Sequence, residues 1–96
     1  MILQTFHEVI TQVKAFGPDL ILMNNFLPPI SGIATTKFLK KDLDLMHIPI
    51  ILSSYKRNVR DMKIMCGADE YLLKPFSIEQ LNILILKHLI MTSWEC

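Results

Sequence analysis

The chain has 96 residues, 51% of them hydrophobic and 20% charged, which is enough for one small domain with a buried core and too little for two. Ten Lys and Arg against nine Asp and Glu give a formal net charge of +1, without the basic excess that binding to a phosphate backbone requires, so no direct nucleic-acid contact is expected. The two cysteines, Cys66 and Cys96, are too few for a disulfide framework, no apolar run reaches the ~20 residues of a membrane span, and no signal peptide opens the chain, so a cytoplasmic protein away from the membrane is expected.

Phe6, Val9, Ile10, Val13 and Phe16 recur at helical spacing, with Glu8, Thr11, Gln12 and Lys14 around the other side, and predict a one-sided helix over Phe6 to Phe16. Gly17 and Pro18 stop it, and the unbroken apolar run Leu20 to Met23 predicts a short strand buried on both faces. Asn24, Asn25, Pro28, Pro29, Ser31 and Gly32 mark a loop before a second helix, expected from about Ile33 to Lys41. Asp42 and Asp44, with Lys40 and Lys41, read as a solvated loop. Pro49 then opens a second buried strand, Ile50 to Leu52, which ends in Ser53 and Ser54.

The stretch Asn58 to Cys66 is helical in pattern and closed by Gly67, and a third strand is expected over Glu70 to Leu73, ended by Lys74, Pro75 and Phe76. Ser77 with Gln80 forms a capping box ahead of a long final helix, about Ile78 to Met91. Projected at about 100° per residue, that helix shows a core-facing arc of Ile78, Leu81, Leu84, Ile85 and Leu89 and a separate stripe of Ile83, Leu86 and Ile90. One sheet face cannot bury both. Single exposed apolar residues are common on any surface, but three at this spacing make a continuous patch, so an interface is expected there.

Helix, strand, helix, strand, helix, strand, helix, with short apolar strands, is the pattern of an α/β domain: a flavodoxin-like doubly wound parallel sheet with right-handed crossovers and no internal domain boundary. In such sheets functional groups gather at the carboxyl ends of the strands, here Asn24 and Asn25, then Ser53 and Ser54, then Lys74.

Four segments resemble the receiver domain of two-component response regulators: Pro18 to Met23, Leu27-Pro28 with Gly32, Ile48 to Ile51, and Gly67 to Phe76, the last being the most specific. The resemblance runs from about Glu8 to Leu89. It implies that Asn24 stands where receivers carry the aspartate that accepts a phosphoryl group. An amide is neutral and a poor nucleophile, whereas a carboxylate can attack phosphorus and form an acyl phosphate. The resemblance further implies that Ser54 holds the place of the phosphoryl-binding hydroxyl and Lys74 that of the phosphoryl-pairing lysine, with a cis bond to Pro75. Tyr71 holds that of the switch aromatic. Receivers open with a strand bearing an acidic pair for Mg²⁺, followed by a helix. Residues 1–96 read as a single receiver-like domain lacking that first strand and first helix, so no cofactor is expected and Mg²⁺ binding is expected to be lost. The family's strand order places the absent strand beside Leu20 to Met23, leaving an open edge that a second copy is expected to cover, the alternatives being strand exchange, Met1 to Gln4 moving inward, or sequence outside residues 1–96.

His7, His47 and His88 show no ligand spacing and read as ordinary surface or boundary residues; Arg57, Arg60 and Lys63, diluted by Asp61, read as a solvated face. The expectation is a degenerate receiver-like signalling module, not an enzyme and not phosphorylated at Asn24. It would act through a protein partner or a second copy at the final helix and open edge, as a homo-oligomer. The alternative is a fragment of a phosphorelay response regulator or hybrid sensor kinase whose preceding part carries the acidic pair. A small-molecule enzyme on the same fold would need a nucleophile-and-base pair or a Gly-rich phosphate loop, which the sequence lacks.

Overall fold

The computed structural model describes residues 6–24 and 32–94, with side chains described within 8–24 and 32–89. Its elements alternate in chain order: α1 (Phe6–Phe16), β1 (Ile21–Asn24), α2 (Gly32–Lys41), β2 (Ile50–Ser54), α3 (Val59–Cys66), β3 (Glu70–Leu73) and α4 (Ile78–Trp94). Among the described residues the strands form one parallel sheet in the order β1-β2-β3, with Ile21 beside Ile50 and Ile51 beside Glu70. Met1 to Gln4, a candidate cover for the edge at β1, lie outside the described residues.

Local chemistry sets the element ends. Gly17 adopts φ 66° after α1, and its N–H donates to the Val13 carbonyl at 2.9 Å; Gly67 adopts φ 80° after α3, and its N–H donates to Lys63 at 3.0 Å. Both are left-handed conformations that a Cβ disfavours, which is why each helix stops at a glycine. The capping box before α4 is reciprocal: the Ser77 N–H donates to Gln80 Oε1 at 2.8 Å and the Gln80 N–H donates to Ser77 Oγ at 3.1 Å.

The centre of the sheet is β2, in which all five residues are buried. Alternation divides its side chains between two faces. Ile50 joins Val9, Leu39, Leu45 and Ile48, and Leu52 joins Val59, Met62, Cys66 and Ala68, with Met23 packed against both groups. These residues come from α1, α2, α3 and their loops, so all three helices share one face. Each such Ile or Leu removed from water contributes about 1.5–3 kcal/mol.

The opposite face carries Ile51, Ser53 and Leu72 and is tied to α4. Glu70, in register with Ile51, accepts hydrogen bonds from Lys87 and His88 of that helix. Leu81, Leu84 and Ile85 are half-buried, but Ile78 is 70% exposed and Leu89 is 39% exposed, which corrects the broad core arc expected from the helical projection. A sheet of three strands is narrow, and the middle of α4 makes the contact while its first turn overhangs. Phe16, at the last turn of α1, is likewise exposed and is not part of the core stripe expected there.

Candidate functional site

Parallel strands bring their carboxyl ends to one side, and Asn24, Ser53, Ser54 and Lys74 meet there. Asn24 closes β1 directly beside Ser53 of β2. Partners in register share a sheet face, so the two polar side chains point the same way. The Ser53 hydroxyl donates to Asn24 Oδ1 at 2.8 Å and lies 3.4 Å from the Met23 carbonyl, and Ser53 itself is fully buried. This hydrogen bond holds the carboxamide by its one acceptor oxygen and leaves a donor, Nδ2, as its other end.

Ser54 projects from the alternate position. Its hydroxyl accepts the Lys56 N–H at 3.1 Å, and its carbonyl accepts the Lys74 N–H at 2.8 Å, joining the ends of β2 and β3. The Lys74–Pro75 peptide is cis, as the resemblance implied. The Lys74 ammonium lies 5.2 Å from the centroid of the Tyr55 ring, a cation–π contact. Tyr71 sits beside Leu52 in register and is 38% exposed. The structure therefore joins Ser54 to Lys74 through the backbone and Asn24 to Ser53 through side chains. From sequence Ser53 is only one of the polar strand ends, without a role; the pairing of β1 with β2 places it opposite Asn24.

The carboxylates lie elsewhere. Asp42 and Asp44 precede β2 and face Lys14 at 3.7 and 3.3 Å. Asp69 precedes β3; its Oδ2 accepts the Ile50 N–H at 2.8 Å and the Lys40 ammonium at 2.6 Å. All three stand at the amino-terminal end of the strands. Lys40 also donates to the carbonyls of Ile48 at 2.9 Å and Met46 at 3.2 Å, and its side chain is only 17% exposed, so it is a tether and not part of the solvated loop expected there. Among the described residues no group of three or more His, Cys, Asp or Glu side chains is placed to hold a metal. A hard divalent cation takes charged or lone-pair oxygen ligands. Asn24 and Ser53 offer only neutral oxygens, so among the described residues the strand ends supply no charged ligand for such an ion.

Among the described residues, Glu70 is the ionisable group most affected by its surroundings. Burial alone would raise its pKa, but hydrogen bonds from Lys87 at 2.6 Å and His88 at 3.1 Å, with their charges, hold it below the usual carboxylate value. His88 is half-buried at the boundary, as expected, and there it ties α4 to the sheet through Glu70. Of the expected interface stripe, Ile83 is 65% and Leu86 53% exposed; the side chain of Ile90 lies outside the described residues. Among the described residues no helix is long and apolar enough to cross a membrane.

Comparison with known proteins gives a consistent result. The family model for the response regulator receiver domain matches residues 2–86. The polar-differentiation response regulator DivK of Brucella ovis is 38% identical over 73 residues, which cover 74% of this chain and 59% of that protein, and DivK of Brucella anthropi matches to the same extent. The chain thus spans about 59% of the length of these curated relatives. Among solved structures, the receiver domain of a signal transduction histidine kinase from Syntrophus aciditrophicus is 29% identical with a TM-score of 0.77, covering 91% of this chain and 67% of that one. The receiver domain of the sensor histidine kinase PA1611 from Pseudomonas aeruginosa, solved with a magnesium ion in its active-site cleft, is 21% identical with a TM-score of 0.74. It covers 92% of this chain and 74% of its own and supports the fold alone.

Proposed function

Because the chain belongs to the response regulator receiver domain family, whose members are signalling modules and not metabolic enzymes, we propose that it is a degenerate receiver that has lost phosphoryl acceptance and acts through protein contacts. The observation that carries this reading is the hydrogen bond from Ser53 to Asn24 Oδ1 at 2.8 Å. The amide occupies the position where the resemblance requires a nucleophilic anion, and its oxygen lone pair is directed to a neighbouring hydroxyl. With no carboxylate oxygen at Asn24 and, among the described residues, no second acid beside it, Mg²⁺ has no purchase. Ser54, Lys74 and Tyr71 are then retained as scaffold, with residues 1–96 acting as a single domain.

The contact surface in this reading is α4, whose Ile83 and Leu86 stay in water while Leu81, Leu84, Ile85 and His88 are half-buried on the side that meets the sheet. A second copy bound there makes the module a homo-oligomer. Incubation with acetyl phosphate and Mg²⁺ followed by intact-mass measurement tests the central claim. The expected result is an unmodified chain; a phosphoryl adduct would overturn it.

A second reading is favoured by the 59% coverage of the DivK proteins: the sequence is a piece of a phosphorelay response regulator or hybrid sensor kinase. The coding sequence preceding Met1 separates the two. A strand with two adjacent acidic residues encoded in frame there supports the second reading, and its absence supports the first.

A further inference from the structure

We infer that the cavity at the amino-terminal end of the sheet, between the last turn of α1 and the loop that leads into β2, is a binding site for a small organic monocation, an alkylammonium or arylalkylammonium with a hydrocarbon body. This goes beyond the reading above and does not depend on it, since the cavity lies at the opposite end of the strands from Asn24.

The cavity has a volume of about 350 Å³, at the lower end of the range for ligand sites. Leu45 and Ile48 form its apolar wall; each is 5% exposed and belongs to the core group of Val9, Leu39 and Ile50, against which Val13 also packs. A hydrocarbon body of modest size finds shelter from water on that wall.

The charged side chains set the sign of the guest. Asp19 lines the cavity, is exposed and has no ion-pair partner among the described residues. Asp44, also in the lining, shares a single ammonium with Asp42, that of Lys14, at 3.3 and 3.7 Å. Three carboxylates thus stand against one lysine. The Asp44 N–H donates to Asp42 Oδ1 at 2.9 Å, which shapes the loop that carries both acids. Because α1 ends at Phe16, the carbonyls of its last turn add the partial negative charge of a helix carboxyl terminus.

An anion would find the one lysine already paired twice and would meet its partners as like charges. A bare metal ion fits no better, since among the described residues no three His, Cys, Asp or Glu side chains are grouped to ligate one. A cation with a hydrocarbon body matches both the charge excess and the apolar wall. His47, at the edge of the same cavity, in its neutral form adds a ring nitrogen that can accept from the ammonium.

Phenethylammonium tests this on the full chain, with phenethyl alcohol and 3-phenylpropionate as neutral and anionic probes of similar shape. Titration followed by amide NMR should show saturable shifts at Gly17, Asp19, Asp44 and His47 with the ammonium, weaker binding of the alcohol, and no shift with the carboxylate. Asp19→Asn should weaken the ammonium about 2- to 5-fold, the range of one exposed ion pair. Lys14→Met, which turns Asp42 and Asp44 over to the guest, should tighten it by about the same factor.

Equal shifts with all three probes, no saturable shift with any, or an affinity that neither variant changes would overturn the cation site. Saturable shifts with the tripeptide acetyl-Leu-Arg-Leu amide and none with the free amine would assign the cavity to a side chain of a partner protein and overturn the small ligand. A phosphoryl adduct in the intact-mass experiment would end the reading above and leave this site standing.

Discussion

The two ends of the sheet handle charge in contrasting ways. At the amino-terminal end, Asp42 and Asp44 face Lys14, and Asp69 holds Lys40 together with the Ile50 N–H. At the carboxyl-terminal end, a neutral amide accepts from a buried serine, and the lysine rests over a tyrosine ring. Asp42, Asp44, Asp69 and Glu70 all tie elements together through lysines, His88 or the backbone. A functional site for anions or cations depends on where charge is left uncompensated, and the carboxyl ends of β1, β2 and β3 carry Asn24, Ser53, Ser54 and Lys74 in place of a carboxylate.

The strongest way to break the comparison is to remove Asp69. Asp69→Ala strips the acceptor from the N–H of Ile50, a fully buried residue, and leaves Lys40 without its carboxylate. A loss of about 2–3 kcal/mol is expected, read as a lowered urea midpoint at unchanged slope. Should the loss stay within a few tenths, the amino-terminal end is not the structural end. Ser53→Ala, at the other end, removes one neutral hydrogen bond and should cost about 1 kcal/mol by the same measurement.

Acid sharpens the contrast within β3. Glu70 titrates below its ordinary value of 4.5 in the folded protein. The unfolded chain therefore takes up the proton first as pH falls, so the contribution of Glu70 is complete above about that value and is lost as pH drops through the lower, folded one. Hydrogen exchange of the α4 amides should accelerate in that window more than exchange in β2, and Glu70→Gln should remove the acid step. Lys14→Met ranks lower: its pairs with Asp42 and Asp44 are largely in water and should change stability by no more than about 0.5 kcal/mol.

Element order and type were legible because local signals carry them. Gly17 and Gly67 stop helices, Ser77 and Gln80 cap one, and the run Ile50 to Leu52 has the length and composition of a central strand. Strand and helix ends differ from the expectation by at most three residues: α4 runs to Trp94, three beyond Met91, and β2 continues through Ser53 and Ser54 because its neighbours pair with them. What was not legible depends on contacts distant in sequence. Lys40 and Asp69 are 29 residues apart, and Glu70 and His88 are 18 apart. Each looks like a surface charge until the strands are set side by side. The same holds for Ile78 and Leu89, whose helical spacing suits a core that the narrow sheet does not extend far enough to supply.

The smallest effect is expected where intuition puts the largest. Asn24→Asp restores the atom that a phosphoryl transfer needs as nucleophile, and the Ser53 hydroxyl can donate to a carboxylate as readily as to an amide. Among the described residues a carboxylate at this site meets no second acid with which to share a divalent cation, and Asp42, Asp44 and Asp69 stand at the far end of the strands bound to lysines. Charge developing on a transferring phosphoryl group then lacks the metal that offsets it in this chemistry. Intact mass after acetyl phosphate and Mg²⁺ should therefore show no adduct on the variant, as on the native chain. An adduct on the variant alone would show that the amide was the sole defect and that the remaining residues, Ser54 and Lys74 among them, suffice for catalysis.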